Sequence, residues 1–197
     1  MADSSLHIET GRLLLRPPAL ADLVPWAAMM QDAEAAKFIG GVQPRATCWR
    51  SLMTMIGAWQ AMGFAMFSVF EKRTGEWIGR LGPWQPDGWP GTEVGWGLRR
   101  ESWGQGFALE GAIATIDWAF AHLGWSEVVH TIAPENTPSI RLAQRLGSLN
   151  RGPVQLPAPH AELRVDLWAQ TRAQWLARRA AGLPPCTSTS TGNRGQQ

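Results

Sequence analysis

The stretch Glu101–Gly111, ESWGQGFALEG, sets a Gly-x-Gly directly ahead of an apolar run. Two readings fit it. The glycines can simply end a turn. They can also leave a row of backbone N–H groups aimed at an anion. The first amides of a helix have no partner within it, and the helix dipole adds roughly half a positive charge there. Gly104 and Gly106 carry no Cβ, so a phosphate can approach the backbone closely. What flanks the stretch decides its meaning.

Upstream, TEVGWGL (Thr92–Leu98) reads as a strand, and its two interior glycines mark a bulge or a close approach. Downstream, FALEGAIATIDWAFAHLG (Phe107–Gly124) reads as a helix. Leu109, Ala112, Ile113, Ile116, Phe120 and Leu123 share one face, and Gly124 closes it. The stretch is therefore a strand-to-helix turn. It is not a Walker loop, because Phe107 and Ala108 follow Gly106 where Lys and Ser/Thr are needed. It is not a dinucleotide fingerprint, because Leu109 stands where the third glycine belongs.

Further out, RLLLRPP (Arg12–Pro18) predicts a strand stopped by two prolines. ALADLVPWAAMM predicts a helix, with Pro25 near its first turn. PRATCWRSLMTMIGAWQAMG predicts a stronger one, with Pro44 at its start, Leu52, Met55, Ile56 and Trp59 in a stripe, and Gly63 at its end. FAMFSVFEK and WIGRLGPWQ, joined by RTGE, predict a hairpin, and PDGWPG a turn. SEVVHTIA predicts a strand. NTPSIRLAQRLG predicts a helix capped by Asn136 and closed by Gly147. AELRVDLWA predicts a last strand and QTRAQWLARR a last helix. The expected fold class is α+β (mixed α/β): one domain over residues 1–181, with a mixed, mostly antiparallel central sheet of about seven strands flanked by helices. Residues 182–197 have little to bury and are expected to form a disordered tail.

Composition narrows the function. With 45% apolar and 17% charged residues the chain reads as soluble and globular. A net charge of +2 without basic blocks argues against nucleic-acid binding. No apolar run is long enough to span a bilayer, and the N-terminus lacks a secretory h-region. Cys48 and Cys186 have no metal-ligand spacing, so no metal is expected, and reduced thiols fit a cytoplasmic location. Twelve tryptophans with no tyrosine predict core and cleft walls, with a Trp-lined carbohydrate or peptide surface as the other reading.

Taken together, EVGWGL, ESWGQGFALEG, WAFAHLG and APENTPSIRLAQRLG resemble the GNAT superfamily of acyl-CoA-dependent N-acetyltransferases. Within it, the chain is most similar to the RimJ/RimL-like branch, which acetylates the N-terminal amines of ribosomal proteins. The family loop, Arg/Gln-x-x-Gly-x-Gly/Ala, stands here as Glu101 to Gly106. The pattern ENxxSxxxxxxLG is met by Glu135, Asn136, Ser139, Leu146 and Gly147. TGRLLLRP resembles the branch's opening strand and WIGRLG its third strand, so the likeness runs from about Leu6 to Trp175. Three departures stand out: Glu101 for Arg or Gln, Ser148 for the Phe of LGF, and Ala143 where many relatives place an acidic Tyr.

The resemblance implies acetyl-CoA as cosubstrate. Its pyrophosphate is expected on the amides of Trp103, Gly104, Gln105, Gly106, Phe107 and Ala108. Its pantetheine arm is expected between the glycine-broken strand and a splayed parallel neighbour, bonded to backbone at Trp96, Gly97 and Leu98. Arg99 and Arg100 either help hold phosphates or are solvated; Arg141 and Arg145 read as a solvated face. Asn136 is a cap that can also bond the arm or a water. Glu93 is the expected general base, against the alternative of an exposed edge charge, with His130 as second choice. Ser139 is expected to reach the sulfur. The acceptor is a primary amine, a peptide N-terminus by branch likeness or a small amine otherwise. A non-catalytic CoA-binding module stays open, as do a monomer and a homodimer.

Overall fold

The structure, a computed structural model, describes residues 6–182. The expected tail beyond Gly182, with Cys186, lies outside the described residues.

Eight strands form one sheet: β1 (Ile8–Glu9), β2 (Leu13–Arg16), β3 (Phe67–Glu71), β4 (Trp77–Trp84), β5 (Glu93–Leu98), β6 (Glu127–Ile132), β7 (Leu149–Val154) and β8 (Val165–Thr171). Their order is β1-β2-β3-β4-β5-β6-β8-β7. Every pair is antiparallel except β5–β6. Six α-helices flank it: α1 (Leu23–Gln31), α2 (Ala33–Ala36), α3 (Arg45–Met62), α4 (Phe107–His122), α5 (Thr137–Leu146) and α6 (Arg172–Ala180). The mixed, mostly antiparallel architecture is the one expected, with more strands. β7 is an exposed edge strand containing Gly152 and Pro153, so it carries no apolar alternation, and two-residue β1 has no period to read.

The two faces of the sheet bury different layers. Leu13 and Leu81 meet α4 at Gly111, where a Cβ would come within 3.0 Å of Leu81 Cδ1. The neighbouring residue, Arg80, points to the other face, against Trp26 of α1. There α1 packs on α3 and β4. The helix boundaries follow local chemistry. Gly63 caps α3 at φ +77, Asn136 caps α5 through its side chain, and Thr171 with Gln174 forms a capping box on α6.

The parallel pair fixes where a cleft opens. β5 and β6 are in register only at Glu93 and Val129, with Val129 N–H donating to Thr92 O at 3.0 Å. Beyond that point the two strands part. Helix α5, starting after β6, closes the widening end.

Candidate active site

A cleft of about 430 Å³ lies on the α1–α3 face, over the ends of β4, β5 and β6. Trp26, Arg80, Trp89, Glu93, Trp96 and Ser139 all line it.

Glu93 opens β5 and is 6% exposed, so it is not an exposed edge charge. The turn before β5 lays Trp89 on it, and the indole Nε1 donates to Oε2. From β6, the Thr131 hydroxyl lies 3.1 and 3.0 Å from the two oxygens, and the Thr131 amide donates to Oε1 at 3.2 Å. Burial pushes the carboxyl up to about 7, while these bonds and the charge of Arg80 pull the other way. A carboxylate so placed takes and releases protons near neutrality.

His130 is 1% exposed and bonded at both ring nitrogens. Nδ1 lies 2.7 Å from Val94 O, a pure acceptor, so Nδ1 carries the proton. Nε2 then accepts from Ser148 Oγ at 3.0 Å, and Gln170 Nε2 donates to the same oxygen at 3.1 Å. Burial pulls the imidazolium down to about 4. His130 is a neutral strut. The departure at Ser148 belongs to this set: a Phe there would leave His130 Nε2 without a donor.

Trp96 Nε1 donates to Ser139 Oγ at 3.1 Å, bridging β5 and α5 across the cleft. Ser139 Oγ accepts this bond and lines the cleft, so its hydroxyl can still donate to a ligand there. Asn136 Oδ1 accepts from Ser139 N–H at 3.2 Å, which is its capping role. Ala143 is fully buried with Ile132 and Trp168, so indole fills the region that a Tyr would need.

The loop of Glu101–Gly106 places Gly104 at φ +72 and Gly106 at φ +80, both left-handed. Gly106 caps α4, and the amides of Phe107, Ala108 and Leu109 have no partner within the helix. This first turn fits an anion. Three expected contacts need correction, at Trp103, Leu98 and Gly97. Trp103 N–H donates to Arg100 O at 3.0 Å, so it cannot join the cradle, which begins at Gly104. Trp103 Nε1 also donates to Leu98 O at 2.8 Å. Thr92 O and Val94 O both turn toward β6, so alternation turns Trp96 and Leu98 the same way. With Leu98 O taken, Trp96 keeps the outward backbone, and Gly97 faces β4.

The β5 glycines mark a close approach, as expected, and what approaches them is side chains. A Cβ at Gly95 would lie 2.6 Å from Met66 Cε, and one at Gly97 3.2 Å from Ile39 Cδ1. They make room on the face of the sheet for cleft side chains, whereas the gap between strands comes from the splay. Arg99 pairs with Glu76 and Arg100 with Asp32 at 3.0 Å, so both are held by carboxylates. Arg141 and Arg145 are exposed. The sequence reading missed Arg12 and Glu110. Arg12 Nη1 donates to Gln105 O at 2.9 Å and Nε to Glu110 Oε2 at 2.7 Å, tying β2 to the glycine loop and α4.

The GNAT acetyltransferase domain model matches residues 12–148. An uncharacterized N-acetyltransferase, p20 of Bacillus licheniformis, is 34% identical over 147 residues, 73% of this chain and 82% of that protein. The crystal structure of an acetyltransferase from Agrobacterium tumefaciens superposes with a TM-score of 0.76 at 27% identity, covering 87% of this chain and 98% of that one. Mycobacterium smegmatis RimJ, solved in complex with CoA-disulfide, superposes at 0.66 with 21% identity over 86% of this chain and 89% of that one, a likeness of fold.

Proposed function

The chain belongs to the GNAT acetyltransferase family, and from that premise we propose that it moves an acetyl group from acetyl-CoA to a primary amine by direct attack on the thioester. The observation that carries the chemistry is Glu93, a buried carboxyl tuned near neutrality on the floor of the cleft. Likeness to RimJ/RimL-like enzymes favours a peptide N-terminal amine as acceptor. A small amine is the second reading, favoured by the partly buried Arg80 in the same cleft.

The chain's residues divide the work. Gly104, Gln105, Gly106, Phe107 and Ala108 would hold the diphosphate at the start of α4. The backbone of Trp96 would receive the arm, with Asn136 at the mouth of α5. Glu93 takes the proton from the ammonium, directly or through a water, once the pH exceeds about 7. When bound, acetyl-CoA supplies a thioester whose leaving thiol has an ordinary pKa near ~8.5, so it departs with little acid assistance. Ser139, its oxygen held by Trp96, donates a hydrogen bond where that sulfur would lie. His130 holds β6 to β5 and takes no proton. A cytoplasmic location suits this reading, with acetyl-CoA at hand and Cys48 a buried free thiol.

Incubation with acetyl-CoA and a panel of amines, with thiol release and product mass followed together, tests the proposal. Amine-dependent thiol release with a matching acetylated product is expected. Tight acetyl-CoA binding without transfer to any amine would favour the non-catalytic module instead.

A further inference from the structure

Arg80 is the cleft residue that the transfer chemistry leaves unused. It lies on β4, in register with Gly97, while Trp84 four residues on is in register with Glu93. Steps of four keep a strand side chain on one face, so Arg80 and Glu93 rise from the same floor. Met66 lies between them. Its Sδ is 3.0 Å from Arg80 Nη1, and its Cε covers Gly95 beside Glu93 Oε1.

The guanidinium is poorly compensated. Nε is buried and has no hydrogen-bond partner. Nη1 meets a thioether, a weak acceptor, and the Trp26 ring lies 5.0 Å away. Among the described residues, the carboxylate whose charge reaches Arg80 is Glu93. Glu93 is occupied by Trp89 and Thr131, and burial pushes its carboxyl up to about 7. A partly buried arginine without a carboxylate at contact distance is incompletely compensated, and an anionic ligand would supply the missing partner. A guanidinium fork matches a carboxylate two bonds at a time.

We propose that the acceptor is a small amino acid-type molecule, whose amine is deprotonated at Glu93 while its own carboxylate is held by Arg80, Met66 setting the spacing. This rests on the acetyltransfer reading at Glu93. The apolar and indole walls, Met30, Met55, Trp84 and Trp89, then surround the body between the two charged ends.

Matched acceptors test it: an amino acid against its carboxamide and its decarboxylated amine, plus short peptides with an acidic or a neutral second residue. The parent protein should favour the free amino acid at least tenfold in kcat/KM. In Arg80→Gln that preference should collapse, mainly through KM, with acetyl-CoA affinity unchanged; Arg80→Lys should keep part of it. A readout free of turnover is thermal melting. Unliganded Arg80→Gln should melt no lower than the parent, and the amino acid should raise the melting temperature of the parent alone. Equal use of the carboxamide, or a preference that survives in Arg80→Gln, overturns the anion proposal and leaves acetyltransfer standing. A tenfold loss of acetyl-CoA affinity in Arg80→Gln assigns the cation to the cosubstrate and overturns it too. Preference for acidic peptides over free amino acids overturns the small-molecule source. If no amine is acetylated, the acetyltransfer reading fails, and absence of amino-acid-induced stabilisation overturns the role of Arg80 separately.

Discussion

The hydroxyl of Thr131, on β6, lies 3.1 and 3.0 Å from the two carboxylate oxygens of Glu93, on β5, two residues past Val129, with which Glu93 is in register. A side chain from each strand of the parting pair therefore meets where the cleft begins. Removing the hydroxyl with Thr131→Val withdraws a donor from the ionised form. A bond of this kind is worth about 1.5 kcal/mol, or roughly one pH unit. The alkaline rise in kcat/KM should move up by about that amount. A profile that stays in place would separate Thr131 from the ionisation of Glu93.

Stability should report the same carboxyl. Its folded pKa of about 7 lies above its ordinary 4.5. The protonated form is the one favoured by burial, so this contribution is fully present below 4.5 and is lost as pH rises through about 7. His130 acts oppositely. Depressed from 6.5 to about 4, it contributes stability above 6.5 that is lost as pH falls toward 4. The two slopes oppose one another in the parent. In Glu93→Gln the slope of His130 is uncovered, and stability should climb with pH between 4 and 6.5. The parent-minus-variant difference should fall by on the order of 3 kcal/mol from pH 4.5 to 8 in urea unfolding. A difference flat in pH would mean that Glu93 titrates normally.

Trp96 and Ser139 act as one unit across the cleft. Ser139→Ala should lower kcat by roughly tenfold with little change in the KM for acetyl-CoA, as for one hydrogen bond of ~1.5 kcal/mol to a charged group. Trp96→Phe removes the donor that orients the hydroxyl and should cost less. The double variant should be no slower than Ser139→Ala alone. Additive losses would separate the two residues.

At the loop, Gly106→Val should weaken acetyl-CoA binding at least tenfold in calorimetric titration, about 1.4 kcal/mol. The observed φ of +80 adds a second consequence: a β-branched residue is strained there, and stability should drop by about 1–2 kcal/mol. A folded variant with parental affinity would remove the start of α4 from the binding site.

Period and punctuation made much of this fold legible in the sequence. The stripe of α4, the Asn136 cap and the glycines that end helices are local signals, and they sit where local chemistry puts them. What stayed hidden depends on distant neighbours. Glu93 follows a turn and looks like an edge charge. Its burial is made by Trp89 and by Thr131, the latter thirty-eight residues away in sequence. Arg80 fits the alternation of a strand, and only the packing of α1 reveals that it faces a cleft without a contacting carboxylate. Trp103 looked like a loop amide for an anion, but a short turn from Arg100 claims its N–H. Strand β7 was unreadable because an exposed edge has no apolar face to repeat.

The most direct test of Glu93 as the base is the pH dependence of kcat/KM for an accepted amine, in the parent and in Glu93→Gln. The account predicts a rise through an apparent pKa near 7 in the parent, a loss of about 10²-fold or more in the variant above that pH, and no such limb in what remains. Near-parental turnover in Glu93→Gln, with the same limb intact, would contradict it.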